Sequence, residues 1–177
     1  MQSKKMMWKI PSPFHYPPFY TNKEYFHQLD NKDIIQILSD EPFYFDMLFF
    51  LDEKLEFHPW EDPKGFVSLV FDEWKKVKGI ARETFKQKGK NEKSERLLVH
   101  CLSLFIICLF WLNKSPVKGL HSSYMVLSNL QRKPVNCEER LLFIISKPTQ
   151  YHAFIQLEQL FSECEKLFAK AIALKQI

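Results

Sequence analysis

The sequence predicts an all-α protein: a single-domain helical bundle of about six to eight helices around a buried central helix, preceded by an extended N-terminal arm rich in proline and aromatic residues. Three observations lead to this prediction. Residues 97–112 form an almost unbroken apolar run, two longer stretches carry apolar residues at helical spacing, and the 177 residues include only 4 glycines but 17 phenylalanines. This composition favours packed helices over a sheet protein with many tight turns.

The central helix is predicted by the run LLVHCLSLFIICLFWL at 97–112, which only His100 and Ser103 interrupt. Apolar side chains surround a helix drawn through it, so it belongs inside a bundle or in a bilayer. Sixteen residues span roughly 24 Å, whereas the hydrocarbon core of a bilayer is ~30 Å thick. We therefore expect a core helix and no membrane span. His100 is expected to be a neutral imidazole that is hydrogen-bonded to a neighbour, and a pH-sensing or ligand role is the alternative.

Residues 1–20 form the predicted arm, and residues 21–177 form the all-α domain. Proline lacks an N–H and disfavours helix in the residue before it, so the arm should be extended or polyproline-like. It could strap across the core of its own domain or dock into an aromatic groove of a partner. Its many aromatic residues are typical of a core element and favour the strap. The prolines of the arm are Pro11, Pro13, Pro17 and Pro18.

Before the central helix, capping residues and apolar spacing predict four further helices. They are a short helix from the capping box Thr21-x-x-Glu24 to about Leu29, one capped by Asp30 or Asn31, one from Pro42 to near Lys54 and, after a loop at 55–63, a long one over 64–88. The long helix has one buried stripe, formed by Val70, Trp74, Val77, Ala81 and Phe85.

After the central helix, the same signals predict three more helices, over 117–132, from a cap at Asn136 to Ser146, and over about 150–174. The last of these should pack against the central helix, because its apolar stripe is wider than a two-stranded coiled-coil seam. That stripe consists of Phe154, Leu157, Phe161, Cys164, Phe168 and Ala171.

Positive charge is concentrated between residues 75 and 96, where nine bases and three acids give +6 in a chain whose net charge is +4. Four of these bases recur at helical spacing and define a basic ridge: Lys75, Lys78, Arg82 and Lys86. Such a ridge suits contact with phosphates or with an acidic protein. Lysine supplies charge but little base readout, so such binding would be weakly specific. The alternative is a solvated face that only keeps the protein soluble.

The first functional hypothesis is therefore a non-enzymatic binding module that meets nucleic acid or an acidic protein through the basic ridge. The second is an interaction or scaffold protein, with homodimerisation possible, that uses the arm or an apolar groove. The third is an enzyme with a site at His58, Glu61 and Asp62, where an acid, a base and the ring of Trp60 share one loop. The simpler interpretation of that loop is that its carboxylates stabilise the N-terminus of the next helix while Trp60 fills the core.

The sequence predicts no cofactor and no metal site. Glu24-x-x-His27 resembles half of a di-iron motif, but the second half is missing. The cysteines form no C-x-x-C pair, so we expect four reduced, buried thiols in a cytoplasmic protein without a secretory signal. They are Cys101, Cys108, Cys137 and Cys164.

The last third of the chain resembles the YpoC-like family of Bacillus and its relatives. The resemblance covers mainly residues 97–170 and is carried by KPVNCEERL at 133–141, KPTQYHAFIQL at 147–157 and Trp111-Leu112-Asn113 ahead of a proline. It implies no reaction and no site residues. Genes of the family lie near those for a replication-initiation protein and a base-excision-repair endonuclease, which implies a slight preference for nucleic-acid or protein partners.

Overall fold

The computed structural model describes residues 6–29, 32–86, 92–121 and 125–177, and over these residues the protein is all-α apart from one small antiparallel sheet of two strands. The predicted fold class is confirmed. Its helices and strands are β1 (Met7–Lys9), β2 (Tyr25–His27), α1 (Ile34–Asp40), α2 (Tyr44–Phe50), α3 (Pro63–Lys86), α4 (Glu92–Leu112), α5 (Cys137–Ser146) and α6 (Tyr151–Ala173). Short 3₁₀ turns occur at Ser12–Phe14, Pro59–Glu61 and Leu127–Asn129.

Helix α4 is the centre of the protein, and every residue from Cys101 to Leu112 is buried. Helices α3 and α6 pack against it and against each other. The ring of Phe161 on α6 stacks on Trp74 of α3 with centroids 4.1 Å apart, and it meets Phe105 of α4 edge-on at 5.2 Å. Aromatic contacts of this kind contribute beyond the area they bury, so these rings tie the three long helices together.

Helix α4 is also long and apolar enough to cross a membrane, the one such helix in the described part of the chain. It has 21 residues and extends roughly 31 Å, so the length of the apolar run does not by itself exclude a span. Burial supports a core helix, because 72% of the most apolar stretch is buried inside the protein.

The described part of the N-terminal arm, residues 6–20, lies on the core of the same chain. Ile10, Phe14 and Phe19 are buried, and Phe14 packs edge-on against Phe43 at 5.9 Å. The arm is not uniformly extended, because it contains β1 and a 3₁₀ turn. These contacts support the strap interpretation over the docking-peptide interpretation.

The predicted helix from Thr21 to Leu29 is wrong, because this segment contains strand β2, antiparallel to β1. Phe26 is buried and stacks on Trp8 at 5.4 Å, while Tyr25 and His27 on either side are exposed, which is the alternation of a strand. Glu24 and His27 therefore do not share a helical face. The strand depends on a partner in the arm that local spacing does not reveal.

The predicted helix over 117–132 is also wrong, since the described residues there form no α-helix. Side chains outside this segment form hydrogen bonds with its backbone instead. Asn113 exchanges hydrogen bonds with the backbone of Arg132 in both directions, and Val117 N donates to Asp46.

Two of the helix caps predicted from the sequence also differ in the structure. The cap of α1 is Asp33, in a capping box with Gln36, whereas the predicted caps Asp30 and Asn31 lie outside the described residues. Asn136 precedes α5 in a left-handed conformation without a side-chain cap.

Candidate functional site

The structure places the four side chains of the basic ridge on the exposed surface of α3, and each lies near a carboxylate. Lys75 is 3.7 Å from Asp72 and Lys86 is 2.8 Å from Glu83, both one turn away on the same helix. Arg82 donates to Glu158 of α6 at 2.7 Å.

The ion pairs divide the basic ridge into residues that hold α3 to α6 and residues that pair only with exposed carboxylates. Glu158 is only 11% exposed and accepts from Arg82 while lying 3.8 Å from Lys78, so these two bases fasten α3 to α6. Lys78 also lies over the ring of Trp74, 5.7 Å from its centroid. Lys75 and Lys86 have exposed partners, and such surface pairs contribute only about 0–1 kcal/mol. A phosphate could therefore replace the partners of Lys75 and Lys86 at little cost.

Of the three residues of the candidate site in the loop at 58–62, His58 and Glu61 lie together, whereas Asp62 has a separate contact. His58 Nδ1 lies 3.2 Å from the exposed carboxylate of Glu61. Asp62 accepts a hydrogen bond from Gly65 N at 3.1 Å, which is the role of a helix N-cap for α3. Trp60 is buried. These positions support the structural interpretation of the loop.

Three phenylalanines are exposed in this part of the chain, Phe49, Phe50 and Phe57, at 44%, 45% and 37%. Phe49 packs edge-on against Trp60 at 5.0 Å, and Phe57 stacks on Phe66 at 5.0 Å. Exposed aromatic rings, when they form a contiguous surface, are typical of sites that contact another protein.

A cleft of about 670 Å³ lies between the arm and α4, and we call it the arm cleft. Its volume is within the range of small-molecule sites. Residues 18–23 and 40–43 form its walls, and one face of α4 completes it with Glu92, Glu95, Arg96, Val99, His100 and Ser103. His100 and Ser103, the two polar residues in the apolar run, thus both line the same cleft.

His100 differs from the expectation of a hydrogen-bonded core histidine. No described residue forms a hydrogen bond with its ring, whereas Ser103 donates to the carbonyl of Val99 at 2.8 Å. Burial lowers the pKa of His100, and the nearby carboxylate of Glu73 opposes this shift only in part. The imidazole is therefore neutral near pH 7. The cleft was not predicted from the sequence; the spacing of His100 and Ser103, three residues apart and thus on one side of a helix, was the signal that could have indicated it.

Asp46 is the buried carboxyl with the most unusual environment. Its Oδ1 accepts from Val117 N at 2.6 Å and from Trp111 Nε1 at 3.2 Å, while Oδ2 has no hydrogen-bond partner. Burial raises the pKa of Asp46 to about 7, although the two donors act in the opposite direction. It lies among core residues and does not line the arm cleft.

The thiols are free and buried, as predicted. Burial raises the pKa of both Cys101 and Cys137 to about 12, so neither is a reactive thiolate near neutral pH. Within the described residues, no three His, Cys, Asp or Glu side chains are placed to hold a metal ion together.

Comparison with known proteins identifies the family. A family model described as "YpoC-like protein" matches residues 64–176, which is more than half of the chain. The chain belongs to the YpoC-like family. It is also 35% identical over 151 residues to "Uncharacterized protein YpoC" of Bacillus subtilis (strain 168), a match that covers 84% of this chain and 88% of the relative. No solved structure matches.

The YpoC-like region includes α3, α4, α5 and α6. It therefore contains the basic ridge and the α4 face of the arm cleft. The loop at 58–62, the arm and the other walls of the cleft precede the residues that the family model matches.

Proposed function

We propose that this YpoC-like protein is a non-enzymatic binding module that contacts an anionic partner through the exposed basic side chains of α3, with nucleic acid as the partner to test first. The observation that carries the proposal is the charge of this helix. Helix α3 has six basic and three acidic residues, a net charge of +3 in a chain of net charge +4.

The exposed ends of the ridge, Lys75 and Lys86, are the residues best placed to contact the partner. They are separated by eleven residues, or roughly 16 Å along the helix. Lys78 and Arg82 between them share Glu158, so they add less free charge than their spacing indicates. Phosphate contacts from lysines give salt-dependent binding with little sequence preference.

The test is a fluorescence anisotropy titration of the full chain with a labelled mixed-sequence DNA duplex at several salt concentrations. Lys75→Glu/Lys86→Glu is expected to weaken binding about tenfold or more at low salt. It should also lower the slope of log affinity against log salt by about 2, since each lost phosphate contact removes roughly 0.9.

The matched control is Lys54→Glu/Lys118→Glu, which makes the same change in net charge at two exposed positions outside α3. It should retain most of the affinity. Equal losses in the two double variants would show that only net charge matters, and an absence of DNA binding at low salt would remove nucleic acid as the partner.

A second function, self-association through exposed aromatic side chains, is supported by the exposure of Phe49, Phe50 and Phe57. The arm does not support it, because the arm supplies buried side chains to its own core. Light scattering on the full chain distinguishes the two proposals. A monomer at all concentrations would overturn the second without affecting the first.

A further inference from the structure

Two walls of the arm cleft, residues 18–23 and 40–43, are fastened to each other. Glu41 is buried at the turn between α1 and α2, where it accepts hydrogen bonds from the hydroxyl of Tyr20 and the ammonium of Lys23. Phe43 packs edge-on against Phe19 at 6.0 Å and against Tyr20 at 6.2 Å. A preformed wall of this kind lowers the ordering cost of binding a ligand.

The charges of the cleft disfavour an anion. Four lining carboxylates face two lining cations, Lys23 and Arg96. Both cations are already bound to carboxylates, Lys23 to Glu41 and Arg96 to Glu92 at 2.8 Å. An anionic ligand would have to displace one of these pairs.

The same charges favour a cation. Asp40 is paired with Lys32, which leaves Glu95 as the lining carboxylate without an ion-pair partner among the described residues. His100 is neutral and has an unpaired ring nitrogen that can accept a hydrogen bond. The aromatic wall already attracts one cation, since Lys23 Nζ lies over the ring of Tyr20, 6.0 Å from its centroid.

We propose that the arm cleft binds a small organic cation, an ammonium or guanidinium group on an apolar stem, with Glu95 meeting the charge and His100 accepting a hydrogen bond. The apolar stem lies against the aromatic wall and Val99. The same chemistry is present in a free amine and in a basic side chain of a peptide. No residue of the basic ridge lines this cleft, and the proposal does not depend on the function proposed for α3.

The experiment uses three probes of the same shape and different charge: phenethylammonium, 2-phenylethanol and phenylacetate. Each is titrated to 10 mM into the isotope-labelled full chain, and NMR shifts of the His100 ring and of the α4 amides near Val99 are followed. Phenethylammonium is expected to bind in the cleft at least tenfold more tightly than phenylacetate, with 2-phenylethanol between them. A short lysine-containing peptide then shows whether a side chain can replace the free amine.

Variants identify the contacts. Glu95→Gln should weaken phenethylammonium about threefold or more, as expected for loss of a partly exposed ion pair, and should leave 2-phenylethanol unchanged. His100→Leu should weaken phenethylammonium, while His100→Gln, which keeps an acceptor, should restore part of the affinity. Glu138→Gln, an exposed carboxylate on α5, is the control and should have no effect. Tighter binding of phenylacetate, no shifts in the cleft at 10 mM, or an unchanged affinity in Glu95→Gln would overturn the proposal.

Discussion

Replacing Asp46 by asparagine is expected to remove a pH-dependent loss of stability that reaches about 4 kcal/mol. The pKa of Asp46 is about 7 in the folded protein, against an ordinary value of 3.8. A difference of about three pKa units corresponds to about 4 kcal/mol between the protonated and ionised forms, an upper limit for this site.

The sign follows from the direction of this shift. Because the folded state holds the proton more tightly than the unfolded state, the stability from Asp46 is fully present below about pH 4. It is lost as the pH rises from about 4 to about 7, and it changes little above that. Asparagine stays uncharged over this range and can still accept hydrogen bonds from Val117 N and Trp111 Nε1.

The measurement is urea denaturation of the wild type and Asp46→Asn at steps between pH 4 and pH 7.5. The free energy of unfolding of the variant minus that of the wild type should rise by up to about 4 kcal/mol across this range. Asp72→Asn, at an exposed ion pair, is the control and should change stability by less than about 1 kcal/mol throughout. A difference that stays constant with pH would contradict a buried carboxyl with a raised pKa.

Phe161→Ala is expected to destabilise the protein by about 3–5 kcal/mol, the usual cost of removing a fully buried aromatic ring. Phe161 is buried and contacts Trp74 of α3 and Phe105 of α4, so its loss opens a cavity where the three long helices meet. The free energy of unfolding is measured by urea denaturation at one pH.

Phe168→Ala is the matched control, seven residues along the same helix, where the ring is half-buried and contacts Phe71 at 5.5 Å. It should cost clearly less than Phe161→Ala. If Phe161→Ala does not fold, Phe161→Leu should still fold and lose a smaller amount, because it retains most of the volume. Equal losses at Phe161 and Phe168 would mean that the three helices do not meet at Phe161.

The long helices were predictable because their signals are local. The stripe over 64–88 and the one over 150–174 identify α3 and α6 to within about two residues where the structure describes them, and the apolar run identifies α4. The helix predictions for 21–29 and 117–132 were wrong because the structure of these segments depends on distant residues. Their backbone partners, strand β1 in one case and the side chains of Asn113 and Asp46 in the other, come from elsewhere in the chain.

For the candidate sites, too, the sequence predicted which side of a helix a residue occupies but not its contacts with distant residues. Helical spacing placed Lys75, Lys78, Arg82 and Lys86 on one face of α3, but it could not show that Arg82 and Lys78 share Glu158, 76 residues beyond Arg82. In the arm cleft, the spacing of His100 and Ser103 was visible in the sequence. The aromatic wall that makes a cavity there depends on the path of the arm.

The central claim is that α4 is enclosed by the helices of its own chain. Hydrogen exchange of the full chain in detergent-free buffer, with and without lipid vesicles, tests it most directly. The amides of residues 101–112 should be among the slowest to exchange in the protein, because they open only on global unfolding, and vesicles should not change their rates. Fast exchange at 101–112 in buffer, with protection appearing only when vesicles are added, would contradict the claim.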